Sequence, residues 1–291
     1  MKFKNVALIG KYQTAELTDY IVELGEYLTK LGINVYLDCA NYCENEKFKN
    51  FKIGSLKDWL DKINLVIVIG GDGTLLSVAR IIVDYDIPIL GINQGKLGFM
   101  TDITVDEMIV VIQSMLVDNN YTLEARSLLA AKVIRDGKIV DNGVALNDIV
   151  ISRGAIGNMI EFDINIDNQS VLSQKSDGVI FATPTGSTAY SLAAGGPIIN
   201  PDAKVFSIVP ICPQSLTNRP LVVNDSGVIE FILMRENSTQ LHVDGQECFN
   251  LIYRDKVILN KHPKQLQFIH PQDYNYYKTL RRKLEWSKRL S

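Results

Sequence analysis

The period of the hydrophobic pattern changes near residue 120 of this chain of 291 residues, and that change limits the possible folds more than any other feature. Up to about residue 120, short runs rich in Val, Ile and Leu at residues 6–9, 33–37, 65–69 and 87–92 are separated by segments with helical spacing. Strands that are covered on both faces read as nearly continuous apolar runs. This part of the chain therefore predicts a parallel sheet flanked by helices.

From about Tyr121 the period becomes two, as it is in half-buried strands. Residues 160–166 place Ile or Phe at every even position and a polar side chain at every odd one. Asp136-Gly137 and Asn168-Gln169 are predicted hairpin turns. Further short strands are predicted at residues 205–209, 228–233, 241–243 and 256–259. This spacing predicts an antiparallel β-sandwich.

The two patterns predict an α/β domain at residues 1–120 and an all-β domain at residues 121–270. Residues 271–291 return to helical spacing, with Leu280 and Leu284 in register and several basic side chains beside them. A basic run of this kind is more often a solvated face than a binding surface. The tail is therefore predicted to be a separate helical segment.

Charge and hydropathy exclude two classes of partner. The 30 basic and 33 acidic residues give a formal net charge of -3, so the chain as a whole has no field that would hold a nucleic acid. No run of about twenty apolar residues occurs, and residues 1–10 do not resemble a signal peptide. We expect no nucleic-acid partner, no membrane partner and a cytoplasmic location.

The metal-ligating residue types are too sparse to predict a metal centre. The three histidines, His242, His262 and His270, show neither a ligand spacing nor a nearby cysteine pair. The 4 cysteines are too few and too scattered for a disulfide framework. We expect no metal site built from protein side chains alone.

A glycine-rich loop, Gly70-Gly71-Asp72-Gly73-Thr74, directly follows the apolar run at residues 65–69 and precedes a helical pattern. Glycines let backbone N–H groups approach an anion, and the helix start favours negative charge, so this layout predicts phosphate binding. A carboxylate beside phosphates repels them unless it binds Mg²⁺ or accepts a proton from an attacking hydroxyl. Asp72 therefore favours phosphoryl transfer. The alternative is a tight turn in which Asp72 caps the helix.

Residues 176–197 form a second cluster of glycine, serine and threonine around one aromatic ring, Tyr190. Such a segment offers hydrogen-bonding groups and close backbone approach, and the tyrosine offers a flat face for a purine. A purely structural interpretation, a turn followed by a helix with Ser187 as N-cap, is compatible with the same residues.

Taken together, these motifs closely resemble the NAD kinase family. The resemblance rests on the loop at Gly70 to Thr74, on Asn147-Asp148, on Asp177-Gly178, on the block from Thr183 to Pro197 and on Asp244-Gly245-Gln246. It runs from Val6 to the C-terminal tail. The glycine loop alone also resembles those of diacylglycerol and sphingosine kinases and of phosphofructokinases, but those families lack the block from Thr183 to Pro197.

The resemblance implies a Rossmann-like α/β N-terminal domain, a β-sandwich that makes most of the NAD contacts, and a C-terminal helix that packs back on the first domain. The active site would lie between the two domains. The implied substrates are NAD and ATP, with Mg²⁺ accompanying ATP, and the implied assembly is a homo-oligomer, either a dimer or a tetramer. The implied product is NADP, phosphorylated on the 2′-hydroxyl of the adenosine ribose.

The resemblance also implies residue roles. Asp72, with Gly73 beside it, would accept the proton of the ribose 2′-hydroxyl, and Asn147 and Asp148 would hold ribose hydroxyls. Gln246 would close the pocket. The adenosine part of NAD would be lined by Asp177, Thr188, Ala189, Tyr190, Ser191, Leu192 and Ala193.

Two further NAD-binding candidates depart from the family pattern. Asn158 stands where relatives often carry a larger polar or basic side chain, and a turn residue before the next strand is an equal alternative. Lys175 stands where many relatives carry arginine. Lysine keeps the charge but lacks the planar fork that grips a phosphate at two points.

Three other functions compete with this hypothesis. A lipid kinase of the diacylglycerol or sphingosine type would share the Asp72 loop but should show an apolar groove or a membrane-binding surface. A non-catalytic NADP-binding sensor would keep the adenosine pocket and lose the carboxylate. A dehydrogenase would carry Gly-x-Gly-x-x-Gly after its first strand, which this chain does not.

Overall fold

The computed structural model describes residues 2–10, 15–38, 46–95, 98–154, 158–235 and 238–286. It divides the chain into two compact units, Met1–Ala125 together with Leu266–Ser291, and Arg126–Gln265. The sequence pattern places the corresponding boundaries at residues 120 and 270. Within the described residues, no helix is long and apolar enough to cross a membrane.

Strands dominate the secondary structure. In chain order they are β1 Asn5–Gly10, β2 Asn34–Asp38, β3 Lys52–Gly54, β4 Leu65–Ile69, β5 Ile89–Asn93, β6 Ile103–Thr104, β7 Tyr121–Arg126, β8 Leu129–Arg135, β9 Lys138–Ala145, β10 Asp148–Arg153, β11 Ile160–Ile166, β12 Gln169–Ser176, β13 Gly178–Ala182, β14 Val205–Ile211, β15 Leu221–Asn224, β16 Ile229–Leu233, β17 Thr239–Val243, β18 Glu247–Leu251, β19 Lys256–Lys261 and β20 Leu266–Pro271. The α-helices are α1 Ala15–Lys30, α2 Asp72–Ile82, α3 Met108–Leu116, α4 Tyr190–Ala193 and α5 Tyr276–Lys283.

The first unit is built on one sheet in the order β3-β2-β1-β4-β5-β20-β7, with β6 pairing with β5. Its strands β1 to β5 pair in parallel, and every residue of β4 and β5 is buried. Helices α1 and α3 pack their apolar faces on this sheet, with Leu24 and Ile112 fully buried. The predicted α/β fold of this region is confirmed.

The sheet determines where the glycine loop lies. Strands β4 and β5 are neighbours, and Gly70 N–H donates to the Ile92 carbonyl (2.8 Å), so both strands end at the same edge. The segment after β4 starts α2 at Asp72, and the segment after β5 leads through Thr101 to β6. Ligands of open parallel sheets bind outside these carboxyl ends.

The second unit contains two six-stranded antiparallel sheets, in the orders β15-β14-β13-β10-β17-β18 and β12-β11-β16-β19-β8-β9. Inward-facing side chains of both sheets form one core, in which Phe231 stacks on Phe162 (5.0 Å between ring centres) and meets Phe181 edge-on (6.5 Å). The predicted antiparallel sandwich is confirmed.

One of the two predicted hairpin turns is shifted by a residue. Asp136-Gly137 joins β8 to β9 with both residues at positive φ, as predicted. Between β11 and β12, however, the positive-φ residues are Asp167 (49°) and Asn168 (63°), and Gln169 already pairs with Ile166. Asp and Asn tolerate the left-handed conformation better than Gln, which accounts for the shift.

The C-terminal segment returns to the first unit. Strand β20 pairs in parallel with β5, and α5 follows it with Asn275 as N-cap, whose side chain accepts from Lys278 N–H (2.9 Å). Leu280 of α5 is buried, and Lys283 Nζ lies 5.6 Å from the ring centre of Phe99. Residues 287–291 of the predicted helical segment lie outside the described residues.

Candidate functional site

Asp72 is the first residue of α2, and its carboxylate points to the segment that follows β5. Oδ2 accepts from Phe99 N–H (2.9 Å), and Oδ1 accepts from Met100 N–H (3.2 Å) and from the Thr101 hydroxyl (3.3 Å). The N-cap position of α2 is taken by Gly71, without a side-chain cap. The alternative that Asp72 caps its own helix is therefore wrong.

The glycines around Asp72 fall into two groups. A Cβ at Gly71 or Gly73 would meet no atom within 4 Å, so the packing of the chain does not itself demand glycine there. A Cβ at Gly98, in contrast, would lie 1.9 Å from Asp72 Oδ1. Gly98 is needed to seat the carboxylate, whereas Gly71 and Gly73 leave the start of α2 open to close approach by an anion.

The second unit contains a cavity of about 390 Å³ in the region of the predicted adenosine site. The exposed ring of Tyr190 and the buried carboxyl of Asp148 both contribute to its wall. Its lining residues are Asn147, Asp148, Val150, Ser152, Ala189, Tyr190, His242, Asp244 and Gly245. Strand β10 supplies alternate residues from Asp148 onward because side chains of one face recur every second position.

Asn147-Asp148 is held by hydrogen bonds to its backbone. The Asp244 carboxylate accepts from the N–H groups of Leu146 (3.1 Å), Asn147 (2.8 Å) and Asp148 (3.2 Å). On the other side, Thr183 N–H donates to the Asn147 carbonyl (2.9 Å). These bonds fix the backbone that carries the two side chains, to which the family resemblance assigns the ribose hydroxyls.

The carboxyl of Asp148 lies in an unfavourable environment for a charge. Burial, and secondarily the nearby negative charge of Asp244, raise its pKa to about 7. No hydrogen-bond donor of the described residues reaches this carboxyl group. It can therefore exist in either protonation state near neutral pH.

The segment after β13 does not have the predicted turn and helix with Ser187 as N-cap. A 3₁₀ turn at Thr185–Thr188 precedes α4, whose N-cap is Ala189. The Ser187 hydroxyl instead donates to the Pro184 carbonyl (2.6 Å) and accepts from Ile199 N–H (3.0 Å), so it braces the loop from inside. The interpretation of Ser187 as an N-cap is wrong.

Several predicted NAD contacts from the same segment do not line the cavity. The Thr188 hydroxyl donates to the Thr185 carbonyl (3.3 Å), and Ser191 is fully buried. Leu192 is half-buried and Ala193 is exposed.

The remaining NAD-binding candidates lie elsewhere in the second unit. Asp177 accepts from Arg153 Nε (2.8 Å), and Lys175 pairs with Glu161 (3.2 Å) at a separate cavity of about 350 Å³. Asn158 is exposed just before β11, and Gln246 is exposed in the turn between β17 and β18. The cavity beside Tyr190 thus gathers only part of the predicted set.

Sequence reasoning missed the residues that hold the predicted ones. Asp244 and Thr101 were not assigned a role. Asp244 accepts directly from the N–H groups of Asn147 and Asp148, and the Thr101 hydroxyl donates directly to Asp72. A signal for Thr101 was present, because residues that follow neighbouring parallel strands meet at one sheet edge.

Acidic, histidine and cysteine side chains do not gather into a metal centre in the part of the chain that the structure describes: no group of three or more could hold an ion. Mg²⁺ in phosphoryl-transfer sites commonly binds one or two carboxylates together with the substrate phosphates. The isolated carboxylate of Asp72 fits that kind of binding.

Comparison with known proteins points to one family. Residues 6–120 match the model of the ATP-NAD kinase N-terminal domain, and residues 146–271 match that of the ATP-NAD kinase C-terminal domain. The chain is 43% identical over 288 residues to the NAD kinase of Laribacter hongkongensis, covering 99% of this chain and 98% of the relative. It is 44% identical over 288 residues to that of Chromobacterium violaceum, with the same coverage.

Solved structures agree with this assignment. The crystal structure of yeast NADH kinase complexed with NADH matches with a TM-score of 0.87 and 27% identity, covering 99% of this chain and 90% of that chain. An NAD kinase from Archaeoglobus fulgidus in complex with ATP matches with a TM-score of 0.75, covering 97% of this chain and 98% of that chain, and at 22% identity it indicates the shared fold alone.

Proposed function

The chain belongs to the ATP-NAD kinase family, and from this premise we propose that it phosphorylates NAD with ATP to give NADP. The acceptor is the 2′-hydroxyl of the adenosine ribose. The observation that carries this proposal is the carboxylate of Asp72 at the glycine-rich start of α2, in a chain that also holds a cavity walled by Tyr190 and Asp148.

Asp72 accepts the proton of the attacking hydroxyl. A carboxylate has about four acceptor positions, and the described donors use two on Oδ1 and one on Oδ2. One position on Oδ2 therefore remains for the 2′-hydroxyl. As the new bond between the 2′-oxygen and the γ-phosphorus forms, the bond from that phosphorus to the bridging oxygen breaks, ADP leaves with the electron pair, and the proton passes to Asp72.

The start of α2 binds the phosphates of ATP. Gly71 and Gly73 are exposed and sterically open, so the backbone at the positive end of the helix is accessible to an anion. Mg²⁺ bound together with ATP would neutralise the charge of its phosphates.

The cavity of the second unit binds the adenosine part of NAD. The Tyr190 ring is 48% exposed, which leaves a face available for stacking on adenine. Asn147 and Asp148 bind ribose hydroxyls, and Asp244 keeps both in place through their backbone. Ala189 and Tyr190 contribute to the cavity itself. The remaining proposed NAD contacts lie outside it and are Gly73, Asn158, Lys175, Asp177, Thr188, Ser191, Leu192, Ala193 and Gln246.

A phosphate-transfer assay with purified protein, Mg²⁺, ATP and NAD tests this function. The expected product is NADP with the new phosphate on the adenosine 2′-oxygen, identified by mass and by NMR. Diacylglycerol replaces NAD in a parallel reaction to test the lipid-kinase alternative. Phosphorylated lipid with NAD unchanged would contradict the proposal, and NADP binding without any turnover would favour a sensor.

Assembly and location are proposed by likeness to the family. We infer a homo-oligomer, a dimer or a tetramer, in the cytoplasm. A light-scattering mass near the chain mass of 32.6 kDa at micromolar concentration would refute the oligomer. Microscopy of the tagged protein expressed in a bacterial host tests the location.

A further inference from the structure

Thr101 is completely buried, and its hydroxyl sits at the centre of a small hydrogen-bond network. Oγ1 accepts from Asn93 Nδ2 (2.8 Å) and from Gly98 N–H (3.2 Å), and it lies 3.3 Å from Asp72 Oδ1. A hydroxyl has two acceptor positions and one proton. Since both acceptor positions are used, the proton is directed to Asp72.

Asn93 fixes this direction. The residue ends β5, is 4% exposed, and its Oδ1 accepts from Gly95 N–H (2.6 Å). Because that oxygen receives a donor, the amide nitrogen is the atom that faces Thr101. A relay of hydrogen bonds therefore runs from Asn93 through Thr101 to Asp72. The Asn93 amide donates to the Thr101 oxygen, and this orients the Thr101 proton toward Asp72.

Packing leaves the relay little freedom. A Cβ at Gly98 would lie 2.4 Å from Thr101 Oγ1 as well as 1.9 Å from Asp72 Oδ1, so backbone and carboxylate are in close contact. Among the described residues, the Thr101 hydroxyl and Met100 N–H both donate to Oδ1, while Phe99 N–H alone donates to Oδ2. The two oxygens of Asp72 are thereby made unequal.

We propose that Thr101, oriented by Asn93, is a positioning residue that holds Oδ1 of Asp72 so that Oδ2 is presented to the hydroxyl that is phosphorylated. This role rests on the proposed function of Asp72 as proton acceptor. Thr101 would act by aligning the Asp72 carboxylate with the attacking hydroxyl, and the rate of phosphoryl transfer through a loose transition state is sensitive to such alignment. Neither Thr101 nor Asn93 contacts the substrate in this account.

The test begins with Thr101→Val, which keeps the shape and removes the hydroxyl, and Thr101→Ser, which restores it. We expect Thr101→Val to lower kcat by about tenfold or more, with KM for NAD and ATP within about twofold, and Thr101→Ser to recover most of the loss. Thr239→Val is the matched control. Thr239 is also buried, with 2% of its surface exposed, and its hydroxyl has no hydrogen-bond partner among the described residues.

A double-mutant cycle with Asp72→Asn separates positioning from a general structural effect. If Thr101 acts through Asp72, Thr101→Val has little further effect on kcat when the carboxylate is already gone. An equal loss in both backgrounds, or an unchanged kcat in the single variant, would overturn the inference. Should Asp72→Asn itself retain normal turnover, the proposed function of Asp72 fails instead, so the two failures are distinguishable.

Discussion

Asp72 of the first unit and Asp148 of the second are both proposed to contact NAD, but the protein surrounds them in opposite ways. Asp72 accepts hydrogen bonds from two backbone N–H groups and from Thr101. Asp148 is buried beside the negative charge of Asp244, and its carboxyl receives no donor from the described residues. The carboxylate of Asp72 is held by hydrogen bonds from the protein, whereas the carboxyl of Asp148 can receive its hydrogen bonds from a ligand.

This difference assigns the two residues different work. A carboxylate that must meet a hydroxyl at a defined distance gains from rigid donors that fix its direction. Ionising a buried carboxyl costs free energy when no donor is near it. Hydroxyl groups of a bound nucleoside would donate hydrogen bonds to the carboxylate and so lower that cost. We therefore propose that the first unit provides alignment for the chemistry and that the second provides ligand-dependent binding.

The largest expected effect is that of Asp72→Asn. The amide preserves the size of the side chain but cannot take the 2′-hydroxyl proton, and it replaces one acceptor oxygen by a donor facing N–H groups. General-base catalysis is typically worth about 10²- to 10⁴-fold, so kcat should fall by at least about 100-fold. Steady-state kinetics with a folded variant check this, and more than a tenth of the original kcat would remove Asp72 from catalysis.

Tyr190→Ala should act on binding instead. Loss of a base stacked on an aromatic ring costs about 1–3 kcal/mol, which corresponds to a rise of about 5- to 150-fold in KM for NAD. Tyr190→Phe should keep most of the affinity. Tyr253→Ala, at a similarly exposed tyrosine of the second unit, is the control. An unchanged KM in folded Tyr190→Ala protein would assign the ring to packing.

The raised pKa of Asp148 predicts a pH-dependent affinity. In the free protein the carboxyl is half protonated near pH 7, and ribose hydroxyls donate best to the ionised form. NAD binding should therefore release a proton, and affinity should rise by up to about tenfold between pH 6 and pH 8. Titration calorimetry in two buffers measures both quantities. Asp148→Asn should abolish the proton release, and an affinity that falls with pH would contradict this role.

The same shift affects stability in the absence of ligand. The ordinary pKa of an aspartate carboxyl is 3.8, so between about pH 4 and pH 7 Asp148 of the folded protein holds a proton that it has lost in the unfolded chain. The contribution of Asp148 to the free energy of unfolding therefore decreases as pH rises through this window. At pH 8, Asp148→Asn should be at least as stable as the unmodified protein, because it removes a buried charge.

The first unit supplies a contrasting test in His270, which is 1% exposed. Nδ1 lies 3.0 Å from Asp102 Oδ2 and Nε2 lies 2.9 Å from Glu124 Oε2, and the Tyr274 ring stacks at 3.9 Å. Burial lowers the pKa of His270, but hydrogen bonds to both carboxylates and their charges outweigh it, so the pKa is raised above 6.5.

This stabilisation is fully present below the ordinary histidine value of 6.5 and is lost as pH rises through the higher pKa of the folded state. The melting temperature should fall by a few degrees over that range, since about 1 kcal/mol corresponds to roughly 2–4 °C for a chain of this size. His270→Gln should flatten the pH dependence and His262→Gln should leave it intact. A melting temperature that rises with pH would refute the assignment.

Local patterns predicted the fold well where strands are long and buried. The run at residues 65–69 coincides with β4, and the run at residues 87–92 overlaps β5. The short strand β3 was missed because three residues carry little periodicity. No strand was predicted at β20, and all but the last of its residues fall in the range predicted for the all-β domain. The strand instead pairs with β5 through Phe268 and Ile89, a contact between residues far apart in sequence.

The site shows the same limit. The loop around Asp72 was found because strand, glycines and helix are contiguous, whereas its donors lie 27–29 residues further on. Asp244 accepts hydrogen bonds from backbone N–H groups 96–98 residues away, and no local sequence pattern predicts such a contact. Residue types identified what each side chain can do, but only the fold identified which groups hold it.

The division of work between Asp72 and the cavity of the second unit is tested most directly by the affinity of the Asp72→Asn variant for NAD, measured at equilibrium by calorimetry. If the first unit provides the chemistry and the second the binding, the dissociation constant should stay within a few-fold of the unmodified protein although turnover is lost. A dissociation constant that rises by 100-fold or so along with the loss of turnover would make Asp72 a principal NAD ligand and contradict this account.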